Sequence, residues 1–264
     1  MTSDERVIIP LFDGVIHGGV RPGTAFAVEF DPDSQWFAIA ISIAAKVLMN
    51  SGIVLYGAMA RPVDDTARDL SRLEVDVPNV FKEGRLRIDD FYTATLTGGR
   101  LLSGSPLEPY ELGLRRSCNV SEFSIMQSKA RKEIDAGKLD PFGPKEFEKN
   151  ILGKTGWLLI ADSSSVLLRF NEERPFLEWF ETRELRGIRM DKRIHLEGFV
   201  RGLHSEPFYK RIEAACDGIV DVRVLEEDGV LKNLLRLRTL KGQPHDTRWH
   251  EIEIRPNGEA VLVS

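Results

Sequence analysis

Two groups of residues in this 264-residue chain have the types and spacing to handle a nucleotide, and they point in opposite directions. The first is Trp157-Leu158-Leu159-Ile160-Ala161-Asp162-Ser163, an apolar run ending in a carboxylate and a hydroxyl. A buried strand that ends this way puts Asp162 at the carboxyl edge of a parallel sheet, where ligands bind. In phosphoryl-transfer enzymes an aspartate there holds magnesium. Its structural alternative is a cap on the next helix. The second group follows the apolar run Ala25–Phe30. Strand, loop and apolar helix is the frame of G-x-x-x-x-G-K-[ST], whose amides and lysine cradle phosphates and whose hydroxyl holds magnesium. Here the loop reads Asp31-Pro32-Asp33-Ser34-Gln35-Trp36-Phe37-Ala38, with no glycine, no lysine and no hydroxyl at the magnesium position. Asp31 and Asp33 place negative charge where a triphosphate would sit, and like charges ~4 Å apart repel by about 4 kcal/mol at an effective dielectric of 20. The frame fits an ATPase; the loop argues against catalysis.

Other candidates are weaker. Gly153-Lys154-Thr155 imitates the end of a phosphate loop, but Glu148 stands where the first glycine belongs and a strand follows instead of a helix. His204-Ser205-Glu206 reads as a helix start capped by Ser205 rather than an acid–base pair. His245 and His250 lack a third ligand for a metal. Arg236, Arg238, Lys241 and His245 belong to a basic stretch whose alternating strand residues share one face. Such a stripe serves a subunit interface, a phosphate contact or a nucleic acid, or is simply a solvated face. The net charge of −5 supplies no global field for nucleic acid or an anionic membrane. Cys118 and Cys216 read as two unpaired buried thiols of a reducing compartment. The first residues lack a signal-peptide pattern, and the apolar-rich run Trp36–Met49 is too short to span a bilayer. The expectation is a cytoplasmic protein.

The elements that would position these residues alternate. Strands are predicted at 25–30, 53–59, 85–92, 157–161 and 194–200. Helices are predicted at 37–49, 64–73, from Asn119 to about 136, at 174–186 and at 206–215. Residues 93–117 are rich in Gly, Ser and Pro and read as irregular. Two hairpins then turn at Asp228-Gly229 and Asn257-Gly258. The pattern predicts a single α/β domain over 1–264, with a mostly parallel sheet flanked by helices and C-terminal antiparallel hairpins.

In order along nearly the whole chain, these segments resemble the KaiC-like branch of the RecA-superfamily ATPases. The lead "G-φ-x-x-φ-D-x-x-φ-x-G-G-φ" (φ apolar) appears as Ile9 to Val20, and Pro22-Gly23-Thr24 then enters the first strand. "V-L-Y-x-S-x-E-E-P" is matched by Val54-Leu55-Tyr56-Gly57-Ala58-Met59-Ala60-Arg61-Pro62, and "E-G-x-L-R-I-x-D" by Glu83 to Asp90. Leu158–Ser163 matches the magnesium-site strand, Cys216–Val222 matches "A-D-G-V-I-x-L", and Thr239 to His245 matches "K-x-R-G-x-x-H". The resemblance implies a RecA-like sheet. It also implies a paired glutamate site that falls here on Ala60 and Arg61, and an inter-subunit basic pair that becomes Thr239 and Lys241. With the loop lost as well, it implies a catalytically inactive relative. Such a protein would act as a regulatory or scaffolding partner, assembling with itself or with an active paralogue through inherited interfaces. Asp162 and Ser163 would be a vestigial magnesium and nucleotide site, Asp31–Phe37 the former phosphate loop, and Arg236, Arg238, Lys241 and His245 the interface stripe. No cofactor is expected beyond weak Mg-ATP binding. Two alternatives stand: an ATPase with a relocated lysine such as Lys154 or Lys241, and a nucleic-acid-binding accessory of RecA-type recombination or repair.

Overall fold

The computed structural model describes residues 6–99, 113–136, 138 and 145–263. Ten strands form one sheet: β1 (Ala25–Phe30), β2 (Val54–Ala58), β3 (Leu86–Asp90), β4 (Gly113–Arg115), β5 (Leu158–Ala161), β6 (Ile194–Val200), β7 (Gly218–Glu227), β8 (Val230–Leu240), β9 (His250–Ile254) and β10 (Ala260–Val263). Their spatial order is β10-β9-β8-β7-β1-β6-β5-β2-β3-β4. From β7 to β4 every pairing is parallel. The last three strands extend the sheet in antiparallel fashion. The helices are α1 (Trp36–Met49), α2 (Val63–Arg72), α3 (Val77–Lys82), α4 (Tyr92–Thr95), α5 (Val120–Asp135), α6 (Lys145–Ile151), α7 (Glu173–Trp179), α8 (Leu185–Asp191) and α9 (Glu206–Ala215). A π-helical segment, Phe180–Glu184, joins α7 to α8. This is the mostly parallel α/β architecture with C-terminal hairpins that the sequence predicts.

Side chains alternate across a strand, so each strand contributes to both faces of the sheet. The two faces here differ in chemistry. Phe26, Val28 and Phe30 of β1, Val54, Tyr56 and Ala58 of β2, and Leu158 and Ile160 of β5 turn toward α1 and α2, building a continuous dry core. Their alternates turn the other way. Small or aromatic residues there (Ala25, Ala27, Ala161 and Phe199) pack on α7, the π segment and α9. The same face also carries buried charge, with Arg87 and Asp89 on β3 and His195 and Glu197 on β6. The helix α1 is apolar nearly all round, as a helix wedged between a sheet and other elements must be.

Turn chemistry decides the hairpins. Asp228 and Gly229 have φ of 52° and 74°, the left-handed pair that a tight turn between twisted strands requires. Gly84 precedes β3 with φ of +66°, and a Cβ added there would lie 2.4 Å from the Glu146 carbonyl carbon of α6. Gly84→Ala is expected to lower the unfolding free energy by about 2 kcal/mol or more, since left-handed strain and a backbone clash add. A urea melt checks this, and a shift below the error of the midpoint would show that α6 can move away.

The structure adds elements that the sequence reading does not contain. Helices α3, α4 and α6 and the short strand β4 are new, with most of α4 and all of β4 inside the stretch 93–117 read as irregular. Positions 100–112 of that stretch lie outside the described residues. Asn119, where a helix is predicted to begin, caps α5, its Oδ1 accepting from the amides of Ser121 and Glu122 at 3.0 and 3.3 Å. The Glu122 carboxylate in its first turn accepts from the Ser117 hydroxyl at 2.7 Å. Cys118 and Cys216 are unpaired and buried, and burial pushes the Cys118 thiol up to about 12. Among the described residues, no helix is long and apolar enough to cross a membrane.

Candidate functional site

The carboxyl ends of β1, β2, β5 and β6 meet where a nucleotide's phosphates would sit in such a sheet. Each element brings one residue to this point: Trp36 opens α1, Asp162 ends β5, Arg61 follows β2 and Gly198 lies in β6. Trp36 is fully buried and stacked on Phe30 with ring centroids 5.9 Å apart. Its indole Nε1–H donates to the backbone carbonyl of Asp162 at 2.7 Å. A Cβ on Gly198 would lie 2.9 Å from that indole nitrogen and 2.6 Å from that carbonyl oxygen. Glycine is therefore what lets the indole lie against β6.

The loop is tied down by its own protein. The Asp31 amide donates to Val222 O at 3.0 Å and the Ser34 amide to Asp31 O at 3.0 Å. The Gln35 amide donates to Asn233 Oδ1 of β8 at 2.9 Å. A phosphate-binding loop needs such amides free to face the anion. Asp31 accepts from the Val224 amide at 3.1 Å and pairs with Arg201 at 3.3 Å, fastening the loop to β7 and to the end of β6. Pro32 and Asp33 are exposed, whereas Ser34 is buried with its hydroxyl on Asp31 O.

Asp162 is fully buried. Its Oδ1 accepts from the amides of Met59 and Ala60 at 3.0 and 3.3 Å, so it clamps the end of β2. Its Oδ2 is buried and makes no hydrogen bond among the described residues. Burial pushes this carboxyl up to about 7, against the opposing pull of the two amides and of Arg61. Ser163 is buried beside it.

Arg61, at one of the two positions where the family motif has glutamate, turns inward. Its guanidinium lies 5.2 Å from the centroid of the Phe37 ring and donates to Asp69 of α2 at 2.8 Å. The Tyr56 hydroxyl and the Asp162 carboxylate are its electrostatic neighbours, with no aligned hydrogen bond to either. Burial, and then the charge of Asp162, push the Tyr56 phenol well above its ordinary value. Phe37, in the first turn of α1, thus has a cation from the segment between β2 and α2 over its ring.

The basic stripe is engaged within the chain. Arg236 donates to Asp221 at 2.6 Å and lies over the Trp249 ring at 4.3 Å. Arg238 bridges Glu29 and Glu213 at 2.8 and 2.9 Å. Lys241 Nζ donates to the Ala214 carbonyl at 2.6 Å, and His245 Nδ1 sits 2.9 Å from Gln243 O. The stripe and Asp162 are therefore not brought together. Ser205 caps α9 as expected, accepting from the Phe208 amide at 3.3 Å. His204 Nε2 sits 2.7 Å from the buried Ser165 hydroxyl, a pair the sequence reading missed because the two lie 39 positions apart. Among the described residues no group of three or more His, Cys, Asp or Glu is arranged to hold a metal.

No protein-family model matches this chain, and no curated protein sequence matches it. Among solved structures it is similar to the KaiC-like protein PH0186 from the hyperthermophilic archaeon Pyrococcus horikoshii OT3. That likeness has a TM-score of 0.68 and 19% identity, and covers 98% of this chain and 99% of that one. At this identity it is a likeness of fold.

Proposed function

We propose that this chain is a catalytically inactive protein on a KaiC-like, RecA-type fold, acting as a regulatory or scaffolding partner rather than as an ATPase. The observation that carries the reading is the Trp36 indole, which is buried, bonded to the Asp162 carbonyl and seated on Gly198. The loop that would wrap a triphosphate is instead packed against its own sheet. Its residues do not fit a magnesium–nucleotide group. Three loop amides already have protein acceptors, Phe37 and Ala38 offer neither a cation nor an oxygen ligand, and Asp162 is shut away with a raised proton affinity. A magnesium ligand must be ionised and must reach the ion and its waters, and Asp162 is poorly placed for both.

Phe37, Arg61 and Asp69 form a self-contained stack that holds the vacated loop without a ligand. The partner role rests on surfaces. The β7–β8 hairpin exposes Leu225, Val230 and Leu231 at its tip, an apolar group available to a second copy or to an active paralogue. The pairing of Arg236 and Arg238 with Asp221, Glu29 and Glu213 weighs against the nucleic-acid reading. A phosphate backbone would have to displace those carboxylates first.

Calorimetric titration with Mg-ATP, using Asp162→Ala as control, tests the proposal. The expected result is no binding heat up to millimolar nucleotide in either protein. Micromolar binding that is lost in the variant would sink it.

A further inference from the structure

On the ionic face of the sheet, away from the loop, a cavity of about 730 Å³ opens between the strands and the helices α5 and α8. That is the size of a small-molecule site. Its floor is low because two small residues pair across adjacent strands, Gly57 of β2 opposite Ala161 of β5. Nothing steric demands glycine there. A Cβ on Gly57 would meet only ordinary contacts at 3.4 Å and beyond, so glycine keeps the floor low without being required by a clash. The roof is apolar and partly aromatic, from Phe123 and Met126 on α5, Trp179 at the end of α7 and Met190 on α8.

The charges of the described residues lining this cavity do not cancel. Asp89 is held by Arg87 and Arg116 at 2.7 and 2.9 Å, and Glu148 by Arg87 at 2.6 Å. Asp191 takes Arg131 and Arg193 at 2.6 and 2.7 Å. Glu184 pairs with Arg193 and His195, and Glu197 with His195 and the Ser164 hydroxyl. Every one of these carboxylates has a cation or donor. His195 is buried, which lowers its proton affinity, but the carboxylates on either side outweigh burial and raise it. Among the described lining residues six arginines face five carboxylates, and the surplus is positive. Arg183 has only the Ser128 hydroxyl, at 3.0 Å, and Arg186 has no side-chain partner among the described residues. Below them Arg193 Nε is buried without a hydrogen bond.

Local geometry supports a built site. Glu184 closes the π-helical segment, the kind of irregular turn that recurs where helices serve a ligand. Gln127 bridges it to the roof, donating to Glu184 at 3.0 Å and accepting from the Trp179 indole at 3.1 Å. The Trp179 ring is thereby fixed before any ligand arrives.

We propose that this cavity binds a small organic anion with a flat apolar body. The rings would lie between Trp179 and the Gly57–Ala161 floor, with the carboxylate, sulfonate or phosphate at the mouth against Arg183 and Arg186. Guanidinium groups suit such anions because their planar forks match the oxygens. The site is independent of the loop at Trp36, so the Mg-ATP titration and the present test fail or succeed separately.

The test is a fluorescence titration of the full chain with 1-anilinonaphthalene-8-sulfonate. Saturable one-site binding is expected. N-phenyl-1-naphthylamine, the same rings without the sulfonate, is expected to bind about tenfold more weakly, the scale of one or two charge-assisted contacts. Arg183→Ala and Arg186→Ala, both at exposed positions, are each expected to weaken the sulfonate several-fold and leave the neutral probe unchanged. Gly57→Val, with an unchanged urea midpoint, is expected to exclude both probes. Unsaturable binding, equal affinity for the neutral probe, or indifference to both arginine substitutions would overturn the proposal.

Discussion

Trp36→Ala is expected to lower the unfolding free energy by about 3–5 kcal/mol, the range for removing a large aromatic from a packed interior. Three losses combine. The indole is wholly buried, so its contacts with Phe30 and with β6 vanish and a void replaces them. The buried Asp162 carbonyl loses its indole donor, and leaving such an acceptor unsatisfied costs about 1–3 kcal/mol. Helix α1 also loses its anchored first residue. For a domain of this size the melting temperature should fall by roughly 10 °C. In a working phosphate loop the equivalent position faces the ligand, and alanine there would disturb binding far more than folding. A loss below about 1 kcal/mol would mean that the indole is not packed as described.

The second large effect has an unusual sign. Asp162→Asn is expected to stabilise the protein at pH 8 and to be nearly neutral near pH 4. Burial pushes the folded carboxyl up to about 7, against about 3.9 for an exposed aspartate. Between those values the folded state keeps a proton that the unfolded chain has released, so stability falls as pH rises across the interval. Above pH 7 the full cost is present. That cost is about 4 kcal/mol at most. Asparagine keeps an oxygen for the Met59 and Ala60 amides and cannot ionise. Arg61 retains Asp69 as its counter-ion. Urea unfolding of both proteins at the two pH values measures the difference. Equal stability at pH 8, or a variant weaker at every pH, would show that the ionised carboxylate is preferred and reopen a cation-binding role.

Much of this was legible in the sequence, for identifiable reasons. Ala25–Phe30 and the Asp228-Gly229 turn could be placed to the residue because an apolar run and a left-handed dipeptide are local signals. Helix α3 carried a signal that was overlooked: Asp76 accepts from the Asn79 amide, and Pro78 sits in the first turn. Strand β4, three residues in a Gly/Pro-rich stretch, carries none. The π-helical segment was read as continuous helix because one extra residue in a turn leaves the apolar period almost intact.

At the candidate site the absent glycines and lysine were plain, whereas what replaced them was not. Trp36 and Asp162 stand 126 positions apart, and only the folded sheet shows that the indole reaches that carbonyl. Arg61 read as a lost glutamate, and only the fold shows it over the Phe37 ring and bonded to Asp69. The shared face of Arg236 and Arg238 followed from strand alternation. The acids opposite them come from β1, β7 and α9, and no local pattern announces them.

The position of β1 also carries a consequence for synthesis. Its two neighbours in the sheet are β6 and β7, and Ala25 bonds to Asp217, 192 positions further along. At about 5–20 residues per second a ribosome needs roughly 10–40 s to cover that distance. For most of that time, until β6 (Ile194–Val200) has been made, the segment Ala-Phe-Ala-Val-Glu-Phe has neither flanking strand. Apolar, β-prone and open on both edges, it is a natural seed for aggregation and a natural client for chaperones. A nascent chain halted before residue 194 has every helix up to α8 but nothing to close on its first strand. The first strand is most vulnerable before β6 and β7 have been made.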